Sequence, residues 1–182
     1  GYSYRSVGPA FMSGRIADIA IDSNNENVWY VAVGSGGVWK TKNAGTTWMP
    51  LTDNMPFYST GSITIDPNDS SRIWVGTGEN VAGRHVGIGH GIYLSKDSGS
   101  TWDDMGLNKS EHISKIIVHP DNSNIIWVAS QGPLWNSGGD RGLFMSTDGG
   151  NTWSNKLYVN EWTGVTDIII DPTNPDLSLI HI

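Results

Sequence analysis

Apolar and polar positions along this chain alternate in short bursts, and the bursts recur in a fixed order. Three times, two alternating runs are joined by a polar turn: IADIAID with VWYVAV, SITIDP with RIWVGTG, and ISKIIVHP with IIWVAS. After each pair a glycine opens a third run: GVWKT from Gly37, GIYLS from Gly91 and GLFMS from Gly142. A period of two residues over runs this short, bounded by Asp, Asn, Pro and Gly, predicts strands. Each third run enters an eight-residue turn closed by tryptophan, TKNAGTTW at 41–48, SKDSGSTW at 95–102 and STDGGNTW at 146–153, and a fourth run follows. Trp48, Trp102 and Trp153 thus recur at a period of about fifty residues, the size of one supersecondary unit. Four antiparallel strands per unit make a β-propeller blade.

The expected fold class is therefore all-β, a propeller fragment of about three four-stranded blades at 15–53, 61–107 and 113–158, with the start of a fourth at 165–182. Residues 1–14 read as an outer strand and lead-in, because Tyr4 to Gly8 resembles the stretch from Trp102 to Gly106. Three blades do not close a ring, so the remaining blades of the same propeller are expected partners. Ile19, Ile21, Val31 and Trp39 at one end, and Ile168 and Ile170 at the other, are expected to form uncovered faces. Aligning Asp171 with Asp22 and Asp66 puts Ser178 in the place of Trp29, and the final LSLIHI breaks the strand pattern.

Within the repeated turn the polar residue at Asn43, Asp97 or Asp148 accepts turn N–H groups. Gly45, Gly99 and Gly150 supply positive φ, and Trp48, Trp102 and Trp153 cap the layer between sheets. These nine positions read as structural, and Asn43 shows that the carboxylate is dispensable. His119, standing where Asp22 and Asp66 make a turn, also reads as structural. Asp18, Lys115 and Asp167 share one position on the innermost strand and are candidates to line a central channel.

Composition narrows the function. Eleven Lys plus Arg against 18 Asp plus Glu give a formal charge of −7, which disfavours nucleic acid and anionic membrane as partners. With no cysteine there is neither a disulfide nor a thiolate metal site. No apolar run approaches the roughly 20 residues of a spanning helix, so membrane insertion is not expected. No cofactor motif is present, and none is expected.

The chain spends its loop length on the face opposite the repeated turns. GENVAGRHVGIGHG at 78–91, SQGPLWNSGGDRG at 130–142 and the links DNMPFYST, NKSEHI and NEWTG lie there. They carry Glu79, Arg84, His85, His90, Glu111, His112, Trp135, Asp140, Arg141, Glu161 and Trp162, the candidate ligand-binding residues. Trp135 and Trp162 are suited to stacking on sugar rings, or to packing on their neighbours. Arg141 either pairs with Asp140 to anchor its own turn or meets ligand. Glu79 either binds backbone N–H groups or acts as an acid, and it is the best catalytic candidate. His85 and His90 lack the spacing of a metal pair, and no metal is expected.

The repeated turn resembles the Asp-box, or bacterial neuraminidase repeat, of sialidases, the sortilin family and some glycoside hydrolases. YRSVGPAFMSGRIADIAID, SGGVWKTKNAGTTW, WVGTGEN followed by Arg84, SEHISKIIVHP, and QGPLW with GGDRGLF together resemble large secreted bacterial proteins with sortilin-like Asp-box propellers. That resemblance implies a secreted or periplasmic location. In xyloglucan-active glycoside hydrolases, the resemblance implies, a catalytic aspartate would fall on the position of Gly34, which removes one carboxylate of a two-carboxylate mechanism. Against sialidases, Arg15-Ile16-Ala17 lacks the lead-in proline, and no tyrosine is placed as nucleophile. The expectation is an exported binding module for a glycan or a peptide, with a polysaccharide hydrolase completed by other blades as the alternative.

Overall fold

The computed structural model describes residues 15–80 and 86–171 and the backbone of 174–181. The expected outer strand in 1–14 lies outside these residues. Every regular element among them is a strand, and three four-stranded antiparallel sheets follow one another along the chain. The first holds β1 (Ile16–Ile21), β2 (Trp29–Val33), β3 (Gly37–Thr41) and β4 (Met49–Pro50). The second holds β5 (Thr60–Asp66), β6 (Asp69–Thr77), β7 (Ile92–Ser95) and β8 (Asp103–Asp104). The third holds β9 (Ile113–His119), β10 (Asn122–Ser130), β11 (Gly142–Ser146) and β12 (Ser154–Leu157), and β13 (Asp167–Asp171) pairs with β14 (Asn174–His181). Spatial order within each sheet equals sequence order, the arrangement of propeller blades.

Side chains of one strand serve two interfaces, as a period of two requires. Along β6, Ile73 and Val75 join Tyr30, Val38 and Phe57 beside the first sheet, whereas Trp74 between them joins Ile116, Val128 and Phe144 beside the third. The polar turn between the first two strands of each sheet is held by its leading residue. Asp22 and Asp66 accept the N–H groups of Asn24 and Asn68, each at 2.9 Å, and His119 Nδ1 accepts that of Asp121 at 3.0 Å. An imidazole acceptor thus replaces the carboxylate, as the sequence suggests.

The inner strands β1, β5 and β9 each carry a bulge near the end that reaches the loop-rich face. Ile16 faces Val33 while Asp18 faces Ala32, and the same one-residue surplus occurs at Gly61 in β5 and at Ser114 in β9. The surplus puts Ile16 on the same side of the sheet as Ile19 and Ile21, and each of the three is 52% exposed. The expected end face is corrected here: Val31 and Trp39 are buried in a cluster with Val33, against which Trp48 packs, and Ile168 is buried against Ala129 and Leu143. Ile169 is the apolar residue left exposed on β13, and Ile170 is half-buried. The tail also differs from expectation. It forms β14, with Ser178 opposite Ile170 as Trp29 is opposite Ile21, because ladder hydrogen bonds are made by the main chain whatever the side chains.

The three repeated turns share one hydrogen-bond plan. Asp97 Oδ1 accepts the Ser95 hydroxyl at 2.8 Å and the N–H of Thr101 at 2.8 Å, and Oδ2 accepts the Thr101 hydroxyl at 2.7 Å. Asp148 repeats this with Ser146 and Thr152. In the first copy Asn43 keeps the Oδ1 contacts, but its amide Nδ2 donates to Thr47 Oγ1 at 2.9 Å, so that one bond runs in the reverse direction. Ring nitrogens leave the turn altogether: Trp102 Nε1 donates to Leu51 O at 3.4 Å and Trp153 Nε1 to Met105 O at 2.7 Å, each carbonyl lying just beyond the preceding turn. Gly150 has φ +89°, and a Cβ there would meet Trp74 Cη2 at 2.6 Å, so the position needs glycine on two counts.

These turns carry an acid sensitivity. Hydrogen bonds from the Thr101 hydroxyl and N–H, then from Ser95, hold the Asp97 carboxyl down to about 2 from its ordinary 3.8, and Thr152 and Ser146 do the same for Asp148. A depressed folded-state pKa gives stability that is present above 3.8 and lost as pH falls through about 2. The denaturant midpoint is expected to fall across that window, and Asp97→Asn with Asp148→Asn, which copies Asn43, to flatten the fall. An equally steep acid limb in the double variant would show that other carboxylates carry it.

Candidate functional site

The loop-rich face gathers the ends of all three sheets. Glu79 follows β6 and is 3% exposed. Its Oε2 accepts Arg15 Nη2 at 2.8 Å and the Gly87 N–H at 3.1 Å. Gly34 N–H donates to Arg15 O at 2.7 Å, and Ser59 Oγ lies 2.7 Å from Gly34 O and 3.0 Å from Gly87 O. The carboxylate thus sits where the first two sheets meet. The third sheet reaches the same point: His112 Nδ1 lies 2.8 Å from Glu79 O, and Gln131 Nε2 donates to Asn80 O at 3.2 Å. A carbonyl only accepts, so His112 Nδ1 carries a proton. Burial pushes the His112 pKa down, partly opposed by the contact to Glu79. His112 is a neutral prop for the Glu79 backbone.

Arg141 is the second organising residue. It is 5% exposed, and its five N–H groups meet five carbonyls: Nε to Gly138 at 2.8 Å, Nη1 to Gln131 at 2.7 Å and Trp162 at 3.4 Å, and Nη2 to Asn136 at 2.6 Å and to Pro133. Burial lowers its pKa, partly offset by the charge of Glu111. It makes no ion pair with Asp140, whose Oδ2 instead accepts the Lys109 N–H at 3.0 Å while its own N–H donates to Lys109 O at 3.1 Å. One guanidinium therefore fixes both the loop that carries Trp135 and the loop that carries Trp162. Those two indoles are 70% and 63% exposed. Gln131, Pro133, Leu134, Arg141, Trp162, Gly164 and Thr166 line a hollow of about 190 Å³ beside them.

The other candidates are placed less tellingly. Glu111 has φ 58° and offers its carbonyl to Gly89 N–H at 2.8 Å, and Glu161 is exposed with its carbonyl bonded to Gly138 N–H. His90 is exposed and tied through its own N–H to Thr77 Oγ1. Arg84 and His85 lie outside the described residues. Among those described, no three metal-ligating side chains stand together. Asp18 Oδ2 accepts the Ile63 N–H at 3.0 Å and links the inner strands of the first two sheets, while Asp167 turns back on the Ile168 N–H. Sequence reasoning gave Arg15 no role at this site, since its partner lies 64 residues away and no local pattern joins them.

The fold and this face define a β-propeller of the kind built from four-stranded blades. No family model matches the sequence. The chain is 25% identical to an oligoxyloglucan-reducing end-specific xyloglucanase of Emericella nidulans over 78% of its own length and 18% of the relative's. It is 27% identical to a xyloglucanase of Hypocrea jecorina over 95% of its length and 21% of the relative's. Among solved structures it matches an ancestral GH74 enzyme with TM-score 0.74 at 23% identity, covering 92% of this chain and 22% of that one. It also matches YCF48 from Cyanidioschyzon merolae with TM-score 0.56 at 15% identity, covering 91% and 50%. The chain is thus a distant homologue of GH74 xyloglucanases and spans about a fifth of the length of the curated relatives it matches.

Proposed function

We propose that this chain belongs to a glycoside hydrolase acting on a polysaccharide, and that its loop-rich face binds the glycan. What carries the reading is the pair of exposed tryptophans, held by one buried arginine on the face where Glu79 stands, in a chain whose relatives are xyloglucanases. Indole faces stack on pyranose rings, and a carboxylate of this kind serves either half of a two-carboxylate hydrolysis. The second carboxylate comes from another part of the protein. A polymeric substrate does not cross a membrane, so the protein acts outside the cytoplasm. The repeated turn is, on this reading, an Asp-box of the bacterial neuraminidase type, supported by its three copies in one hydrogen-bond plan.

In the full-length protein, tryptophan fluorescence is expected to respond to xyloglucan, with release of new reducing ends. Glu79→Gln is expected to lower turnover by about a hundredfold or more. Flat titrations across a glycan panel, together with binding of an extended peptide, would replace the hydrolase with a peptide-binding module.

A further inference from the structure

Glu111 differs from its counterpart in the preceding link between sheets. Ser59 O accepts the Gly78 N–H at 2.9 Å and His112 O accepts the Gln131 N–H at 3.0 Å, so Tyr58 and Glu111, one residue earlier, hold the same place before two successive sheets. Their carbonyls are used alike, since each accepts the N–H of a glycine leading into a third strand: Tyr58 O that of Gly37 at 3.0 Å, and Glu111 O that of Gly89 at 2.8 Å. Tyr58 makes its bond without a left-handed backbone, whereas Glu111 has φ 58°. That conformation is costly for any residue with a Cβ. Where the repeated turn requires it, at Ala44 and Ser98, the third copy carries Gly149. The main chain gives no such reason at Glu111, and what the conformation changes there is the direction of the side chain.

That side chain is half-buried, and among the described residues its carboxylate meets neither a hydrogen-bond donor nor an ion-pair partner. Its charge acts on Arg141, whose N–H groups are all spent on carbonyls, and on the neutral His112. Gln131, bonded to His112 O, and Arg141 both line the hollow at Trp162. An unspent carboxylate near an exposed indole and an apolar hollow suits a pyranose, whose C–H face stacks on the ring while its hydroxyls donate to the carboxylate. We propose that Glu111 is a ligand-contacting residue of the loop-rich face, held in a strained backbone so that its carboxylate accepts two neighbouring hydroxyls of a sugar ring seated at Trp162. This rests on the glycan-binding reading above.

The test measures, on the full-length protein, the affinity for xyloglucan oligosaccharides by tryptophan fluorescence and the denaturant midpoint. Glu111→Gly removes the strain together with the carboxylate, so the midpoint is expected to rise while affinity falls about tenfold or more. Glu111→Gln keeps the strain and one acceptor oxygen, so affinity is expected to fall about threefold or more with the midpoint close to that of wild type. A Glu111→Gly protein that binds like wild type overturns the proposal. So does one whose midpoint falls together with its affinity, because the carboxylate then serves to balance Arg141 and not to hold a ligand. A wild-type protein that binds no glycan sinks the glycan-binding reading, and this inference with it, whereas wild-type binding that both variants retain sinks this inference alone.

Discussion

Replacing Arg141 by methionine is expected to lower stability by about 3–5 kcal/mol, since buried carbonyls left without a donor cost roughly 1–3 kcal/mol each and solvent reaches some of the five. The guanidinium is almost wholly buried, and each of its five N–H groups is spent on a carbonyl. Methionine fills similar volume but leaves those acceptors facing an apolar chain. Arg141→Lys recovers only part of the loss, since an ammonium has three donors on a point charge and the carbonyls are five, set around a planar fork. Because the carbonyls of Pro133 and Asn136 flank Trp135, and another belongs to Trp162, both indole loops should loosen together. On the proposed glycan-binding reading, affinity is then expected to fall with them. Equilibrium denaturation and a fluorescence titration check the two halves. A loss under about 1 kcal/mol would mean that water replaces the guanidinium and that the loops are held by other contacts.

The 182-residue chain on its own is expected to self-associate. Ile16, Ile19 and Ile21 are half exposed on one face of an inner strand, whereas Ile63 and Ile116, which hold the place of Ile19 in the next two sheets, are buried. Fully burying an exposed isoleucine gains roughly 1.5–3 kcal/mol, of which about half remains at each of these positions, while a whole domain is held by about 5–15 kcal/mol. Covering the three with a second copy is therefore a strong driving force. Sedimentation velocity should show oligomers whose fraction rises with concentration, and Ile19→Lys with Ile21→Lys should return a monomer. A wild-type chain that sediments as one compact monomer at all concentrations would show that half exposure on β1 is no sticky surface.

The sheets were legible because period-two runs, their glycine punctuation and the thrice-repeated turn all report local geometry. The same reasoning put Trp135 and Trp162 in polar loops, and both are exposed. It misjudged Val31 and Trp39, since their packing with Val33 and Trp48 is settled by the tertiary structure and not by alternation. It offered ligand contact or an Asp140 pair for Arg141 and missed the five carbonyls, because main-chain acceptors leave no trace in residue types. The link between Arg15 and Glu79 was illegible for a related reason: only the packing of one sheet on the next brings them together.

The indole of each later turn bonds not to its own sheet but to a carbonyl beyond the preceding turn, Trp102 to Leu51 and Trp153 to Met105. A ribosome delivers the chain from its first residue onward, so by the time each of these tryptophans emerges, its acceptor has already been made. For these two bonds, closure does not wait for chain not yet synthesised. Each of these two indoles therefore latches backward onto a turn already made, and that dependence runs in the direction of translation.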